Sequence, residues 1–100
     1  MTSDNQIERV EVRYRPFVVK YHGTTDAHGS RISIRDLRHN KRKVIPYDSD
    51  HFGIGSVGEQ ATAYLRSIGI SVDALALADV PINGTAVELL LSTDFATQLR

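Results

Sequence analysis

The sequence predicts an α+β domain: an antiparallel β-sheet, a meander plus a C-terminal hairpin, packed on one amphipathic helix in the order β-β-β-β-α-β-β. Three observations carry that prediction. Apolar and polar residues alternate through the first half, as half-buried strands require. One central stretch changes to a helical period. An Asn-Gly pair near the C-terminus lies between two apolar runs, the pattern of a tight hairpin. With 41% hydrophobic and 24% charged positions, 100 residues suit a single two-layer core. A chain of that size buries only roughly 65% of its extended surface, which leaves no room to enclose a large cofactor.

Residues 1–6 are polar and aperiodic and read as a flexible tail, followed by one domain over 7–92 and a second tail over 93–100 to which the pattern assigns no element. From Ile7, Val10, Val12 and Tyr14 alternate with Arg9, Glu11 and Arg13 as a first strand, which Pro16 breaks or offsets. Phe17 to His22 is the clearest strand, with Phe17, Val19 and Tyr21 on one face and Val18, Lys20 and His22 on the other. A Gly/Ser/Thr loop over 23–30 leads to a strand from Arg31 to Leu37, with Ile32 and Ile34 inward and Arg31, Ser33 and Arg35 outward. A tight turn at His39-Asn40-Lys41 leads to Arg42–Tyr47, whose Pro46 marks an edge or a strand end.

Ser56-Val57-Gly58-Glu59 matches a capping box and predicts a helix over Val57–Ile68 with an inward stripe of Val57, Ala61, Tyr64, Leu65 and Ile68. Gly69 stands where a left-handed C-terminal cap belongs. The last third carries two signals. Ala74–Ala78 and the capping-box match at Thr85–Glu88 suit short helices, whereas Asn83-Gly84 and the period-two recurrence of Val87, Leu89 and Leu91 suit a hairpin over Val72–Val80 and Thr85–Ser92. The hairpin is the reading adopted.

Several function classes fall away. Without cysteine there is no disulfide framework, thiolate metal site or cysteine nucleophile, and a cytoplasmic setting follows. The N-terminus has neither a basic nor an apolar signal region, and no apolar run reaches membrane length. The four histidines are spaced six, eleven and twelve residues apart, which matches no compact zinc or iron signature, and Asp48-Ser49-Asp50 suits an Asx turn better than a calcium loop. No nucleophile elbow surrounds any serine. The expectation is therefore a non-enzymatic protein without metal or cofactor.

The zero net charge hides a division. Residues 1–50 hold ten Lys and Arg against seven Asp and Glu, a net +3, and residues 51–100 hold two against five, a net −3. Between Arg9 and Lys43 the balance is ten against three, a net +7. A field of that kind steers partners even when the whole molecule is neutral. The candidate partner-binding residues are therefore Lys20, Arg31, Arg35, Arg38, Lys41, Arg42 and Lys43. A second, smaller candidate is the loop of Gly23, Thr24, Thr25, Gly29, Ser30 and Arg31, whose amides, hydroxyls and guanidinium suit an anion. Phe17, Val19 and Tyr21 share the predicted core face, so no exposed stacking platform for nucleic-acid bases is evident.

The stretches Val18-Val19-Lys20-Tyr21-His22-Gly23-Thr24-Thr25, Gly29-Ser30-Arg31-Ile32 and Val44-Ile45-Pro46-Tyr47-Asp48, followed by a helix ending at Gly69, resemble a family of small uncharacterised proteins carried by phages, plasmids and integrative elements. The resemblance spans about residues 18–92. This sequence has Thr24 where that family usually has proline, lacks its alanine-rich helix entry, and has Ile70 where tryptophan commonly follows the glycine. The resemblance implies a closing hairpin and an accessory protein of a mobile element, and it brings no catalytic residues. The function expected is a protein-binding inhibitor of a host defence system, of the anti-CRISPR type, whose partner is a host protein or protein–nucleic acid complex. The alternative is a small nucleic-acid-binding module using the basic strand-turn segment.

Overall fold

A computed structural model of the chain describes residues 12–50, 55–77 and 87–100. Its elements run β1 (Arg15–His22), β2 (Arg31–Asp36), β3 (Lys41–Pro46), α1 (Ser56–Ser67), β4 (Ala74–Leu77) and β5 (Val87–Ser92). The strands form one antiparallel sheet in the order β3-β2-β1-β5-β4, so β1 is central and the C-terminal strand pair docks beside it. The helix follows the third strand rather than the fourth. Of the strand expected before Pro16, residues 7–11 lie outside the described residues, and Val12–Tyr14 form no strand. Parity accounts for this break: Arg15, Phe17 and Val19 face the core, so Val12 and Tyr14, one step out of phase, could not continue that row.

Helix α1 lies across one face of the sheet. Ala61 and Leu65 are buried against Phe17, Val19, Ile32, Ile34 and Leu90, with Val57, Tyr64 and Ile68 packed at the margin, which is the stripe the spacing predicts. The helix ends in a Schellman motif: Gly69 (φ 90°) donates its N–H to the Arg66 carbonyl at 3.1 Å, and Ile70 donates to the Leu65 carbonyl at 2.9 Å. Its start departs from the predicted capping box. Gly55 (φ 85°) is the cap residue and no side chain caps the turn. The Ser56 hydroxyl instead accepts from Gln60 Nε2 at 3.2 Å. The Gly58 N–H donates to the Glu88 carboxylate from β5 at 3.0 Å. A Cβ on Gly58 would lie 2.6 Å from Leu75 Cδ1 and 2.8 Å from Glu88 Oε1, so the close approach of helix and sheet uses the missing side chain. A tertiary carboxylate has taken the place of the local cap.

The hairpin reading of the last third holds in β4 and β5, and its Asn83-Gly84 turn lies outside the described residues. The phase of β5 differs from the Val87, Leu89, Leu91 row: Leu90 pairs with Phe17 and enters the core, leaving Leu89 and Leu91 on the opposite face. The segment after Ser92 packs closely. Leu99 is in the core and the Tyr64 hydroxyl donates to the Arg100 carbonyl.

That C-terminal segment is held by Arg15, which is wholly buried. Its guanidinium lies 2.6 Å from Asp36 Oδ2 and donates to the carbonyls of Asp94 at 2.9 Å and Thr97 at 2.6 Å, while its flat face covers the Phe17 ring. Asp36 in turn accepts the N–H groups of Arg38 and His39 and lies 2.9 Å from His39 Nδ1. Burial pushes the Asp36 carboxyl up, but its hydrogen bonds from Arg15 and His39 outweigh this and hold it below the usual 3.8. Asp94, bonded by Thr97 and Ala96, is lowered to about 2.

Because both folded values lie below the unfolded one, their stabilisation is complete above pH 3.8 and is lost as pH falls through the folded values, down to about 2 for Asp94. Asp36→Asn, which keeps the turn bonds but strands a buried guanidinium, should cost about 3–5 kcal/mol in urea melts. Adding Arg15→Met should recover part of that loss; a double variant less stable than Asp36→Asn alone would contradict the stranded-charge account.

Candidate functional site

The sheet register sorts the seven basic candidates by face. Side chains paired across β1, β2 and β3 on the face opposite α1 form three rows: Val18, Arg35 and Arg42; Lys20, Ser33 and Val44; His22, Arg31 and Pro46. Four candidates, Lys20, Arg31, Arg35 and Arg42, are thus together, as alternation predicts for the first three. The other three are elsewhere. Lys41 and Lys43 pair with Asp36 and Ile34 and lie on the helix side, where Lys43 Nζ is 5.9 Å from the Tyr64 ring centre. Arg38, in the β2–β3 turn, covers the Phe95 ring at 5.1 Å. A run of adjacent cations on an edge strand cannot all share one face, because successive side chains point to opposite sides.

Among the described residues no helix or strand packs on this second face, and no carboxylate lies within ion-pair distance of Lys20, Arg31, Arg35 or Arg42. Arg35 donates to Asn40 Oδ1 at 3.0 Å, and Asn40 (φ 53°) forms the tight turn expected there. Three of the five acidic side chains of the C-terminal half serve internal contacts: Asp73 Oδ2 accepts from the Thr93 N–H at 2.8 Å, Glu88 from Gly58, and Asp94 from Ala96 and Thr97.

At the centre of the rows is a depression of about 340 Å³ lined by Val18, Lys20, His22, Ser33, Arg35, Leu37 and Arg42. Its floor is Ser33, a short side chain between Arg31 and Arg35 along β2 and between Lys20 and Val44 across it. His22 Nε2 lies 2.8 Å from Ser33 Oγ. Burial, then the neighbouring Arg31, Arg42 and Lys20, hold the imidazole below its usual 6.5. His22 and Ser33 are absent from the candidate list, although their parity with Lys20 and with Arg31 and Arg35 was the available signal. Toward β5 and β4 the same face becomes aliphatic, through Leu89, Leu91, Ala74 and Ala76.

The candidate loop over 23–30 is closed on itself. Thr25 N–H donates to the His28 carbonyl at 2.8 Å, and His28 N–H donates to Thr25 Oγ1 at 3.1 Å. Thr24 and Ser30 hydroxyls lie 3.0 Å apart. Arg31 reaches back to the Gly29 carbonyl at 3.4 Å. Gly23 and Gly29 do not adopt positive φ. Asp50 N–H donates to Asp48 Oδ1 at 2.9 Å, the expected Asx turn. His51 lies outside the described residues, and His39 is committed to Asp36 and Arg15.

No family model, curated protein or solved structure matches the chain. No helix among the described residues is long and apolar enough to cross a membrane.

The position of His22 among three cations gives a direct test. Its folded value lies below 6.5, so His22 costs nothing above the unfolded value and removes stability as pH falls through it. Arg42→Gln should raise the His22 midpoint in an NMR titration of its ring protons. An unchanged midpoint would show that Arg42 does not face the imidazole.

Proposed function

We propose that the chain is a non-enzymatic binding protein that presents the face opposite α1 to an acidic surface of another protein. One observation carries the reading: Lys20, Arg31, Arg35 and Arg42 share a face on which no described carboxylate pairs with them, beside the aliphatic strip of β5 and β4. Cations with no described carboxylate beside them steer an acidic partner, and an adjoining apolar strip adds burial once it arrives. The non-enzymatic reading is supported by the fate of three acid–base groups. Asp36 and His39 are tied to Arg15, and Asp94 to its own turn.

The resemblance of residues 18–92 to small mobile-element proteins supplies the setting: an accessory protein acting in the cytoplasm on a host protein or protein–nucleic acid complex, as an inhibitor of a defence system of the anti-CRISPR kind. Nucleic acid is the second reading, favoured by the same cations. The face lacks what single-strand binding uses, since none of its described positions is Phe, Tyr or Trp and Tyr21 packs edge-on to Tyr47 at the end of the helix side.

Arg35→Glu with Arg42→Glu should abolish capture of the partner from a nuclease-treated bacterial host lysate, and a single arginine truncation should cost about 2 kcal/mol or more. Capture that survives the double reversal would move the site to the acidic half. Capture that disappears on nuclease treatment, with log affinity falling linearly against log salt, would assign the face to nucleic acid.

A further inference from the structure

We propose that the depression over Ser33 is a binding site for a tetrahedral oxyanion, inorganic phosphate or the phosphate of a small monoester. The proposal rests on the binding face argued above, on which no described helix or strand packs, and assigns it a ligand chemistry of its own. Four features converge. Lys20, Arg35 and Arg42 line the depression from three different strands, so cations surround it rather than flank it. Arginine offers paired donors that match two oxygens of a tetrahedral anion, and lysine adds a compact charge. The floor is a hydroxyl that is almost wholly buried, Ser33 at 5% exposure. Val18 and Leu37 give the wall an apolar part, against which the carbon skeleton of an ester can lie.

His22 couples this site to protons. Its ring is faced by Lys20 from its own strand, Arg31 and Ser33 from β2, and Arg42 from β3, with no carboxylate among them. In the neutral tautomer protonated at Nδ1, Nε2 accepts the Ser33 hydroxyl hydrogen. In the protonated ring Nε2 can only donate, so Ser33 Oγ accepts and its hydrogen turns toward the depression as a further donor. Burial first and then the neighbouring cations hold the imidazole down; an anion seated among the cations offsets the second of these, so binding draws a proton onto His22. By linkage, acid must strengthen anion binding.

Sulfate is the clean probe, since it keeps both charges across the pH range used. Sulfate titrated into the full chain at constant ionic strength, followed by calorimetry and by the His22 ring resonances, should bind about tenfold more tightly at about pH 5.5 than at about pH 7.5. Proton uptake should be visible in buffers of different ionisation enthalpy. His22→Gln should still bind sulfate but with equal affinity at both pH values, and Arg42→Ala should lose about tenfold. Phenyl phosphate binding more tightly than inorganic phosphate assigns the site to monoesters, and equal binding assigns it to the free ion. Absence of sulfate binding, or a pH dependence that persists in His22→Gln, overturns the proposal. If sulfate does not bind while the double charge reversal still abolishes partner capture, only the oxyanion site falls. If sulfate binds and capture survives the reversal, only the partner reading falls.

Discussion

The buried pair of Arg15 and Asp36 is the constraint from which the faces of this sheet follow. A guanidinium and a carboxylate at 2.6 Å, both removed from water, tolerate no loss of either partner. Arg15 also holds the carbonyls of Asp94 and Thr97, and Asp36 holds the N–H groups of the β2–β3 turn. One cluster thus joins the start of the central strand, the turn between β2 and β3, and the C-terminal segment. With Arg15 and Asp36 inward, strand parity puts Phe17, Val19, Ile32 and Ile34 inward and Lys20, His22, Arg31 and Arg35 outward. A slip of one residue would strand both charges and bury Lys20 in place of Val19. The identity of the cationic face is therefore tied to the pair on the other side.

Legibility in the sequence followed the range of the interaction. Period-two alternation in Phe17–His22 and Arg31–Asp36 is local and was readable, as were the stripe of α1, the left-handed Gly69 and the Asn40 turn. The departures inside the core involve residues distant in sequence, whereas the placement of Lys41 and Lys43 with the cationic face is a local one that strand parity itself corrects. The capping box at Ser56 is a sound local pattern, yet Glu88, thirty residues away, supplies the acceptor instead. The phase of β5 is set by pairing Leu90 with Phe17, which a run of three leucines leaves undecided. Arg15 falls within the +7 segment and is not singled out there, although it shares the parity of Phe17 and Val19. Its burial needs Asp36, Asp94 and Thr97 together, and no short window contains them.

The charge division also changes meaning once the fold is known. Three described carboxylates of the acidic half are engaged within the fold. Asp73 holds Thr93, Glu88 holds the first turn of α1, and Asp94 holds the turn that presents its carbonyl to Arg15. Burial raises the Glu88 carboxyl, which the Gly58 N–H only partly offsets, so even this carboxylate acts as part of the scaffold. The basic half divides differently. Lys43 and Arg38 lie on aromatic rings, Lys41 is on the helix side, Arg15 is buried against Asp36, and Lys20, Arg31, Arg35 and Arg42 collect on one face where no described carboxylate pairs with them. Among the described residues, acids that build and cations that no carboxylate matches give a neutral molecule with one basic face.

Such a surface works against the fold that carries it. Three basic side chains in adjacent strands repel one another and depress the imidazole between them, and a glutamate at position 42 or 35 would relieve that repulsion at once. Among the described residues no contact within the fold accounts for the cluster, and under the proposed reading an arriving anion would relieve that repulsion. Ser33 argues in the same direction. A larger aliphatic residue on that strand would fill the depression and shield the sheet, as Ile32 and Ile34 do on the other side. A short hydroxyl kept among long cations leaves room, a donor and a field in one place, and each of the three acts on a ligand rather than on the core.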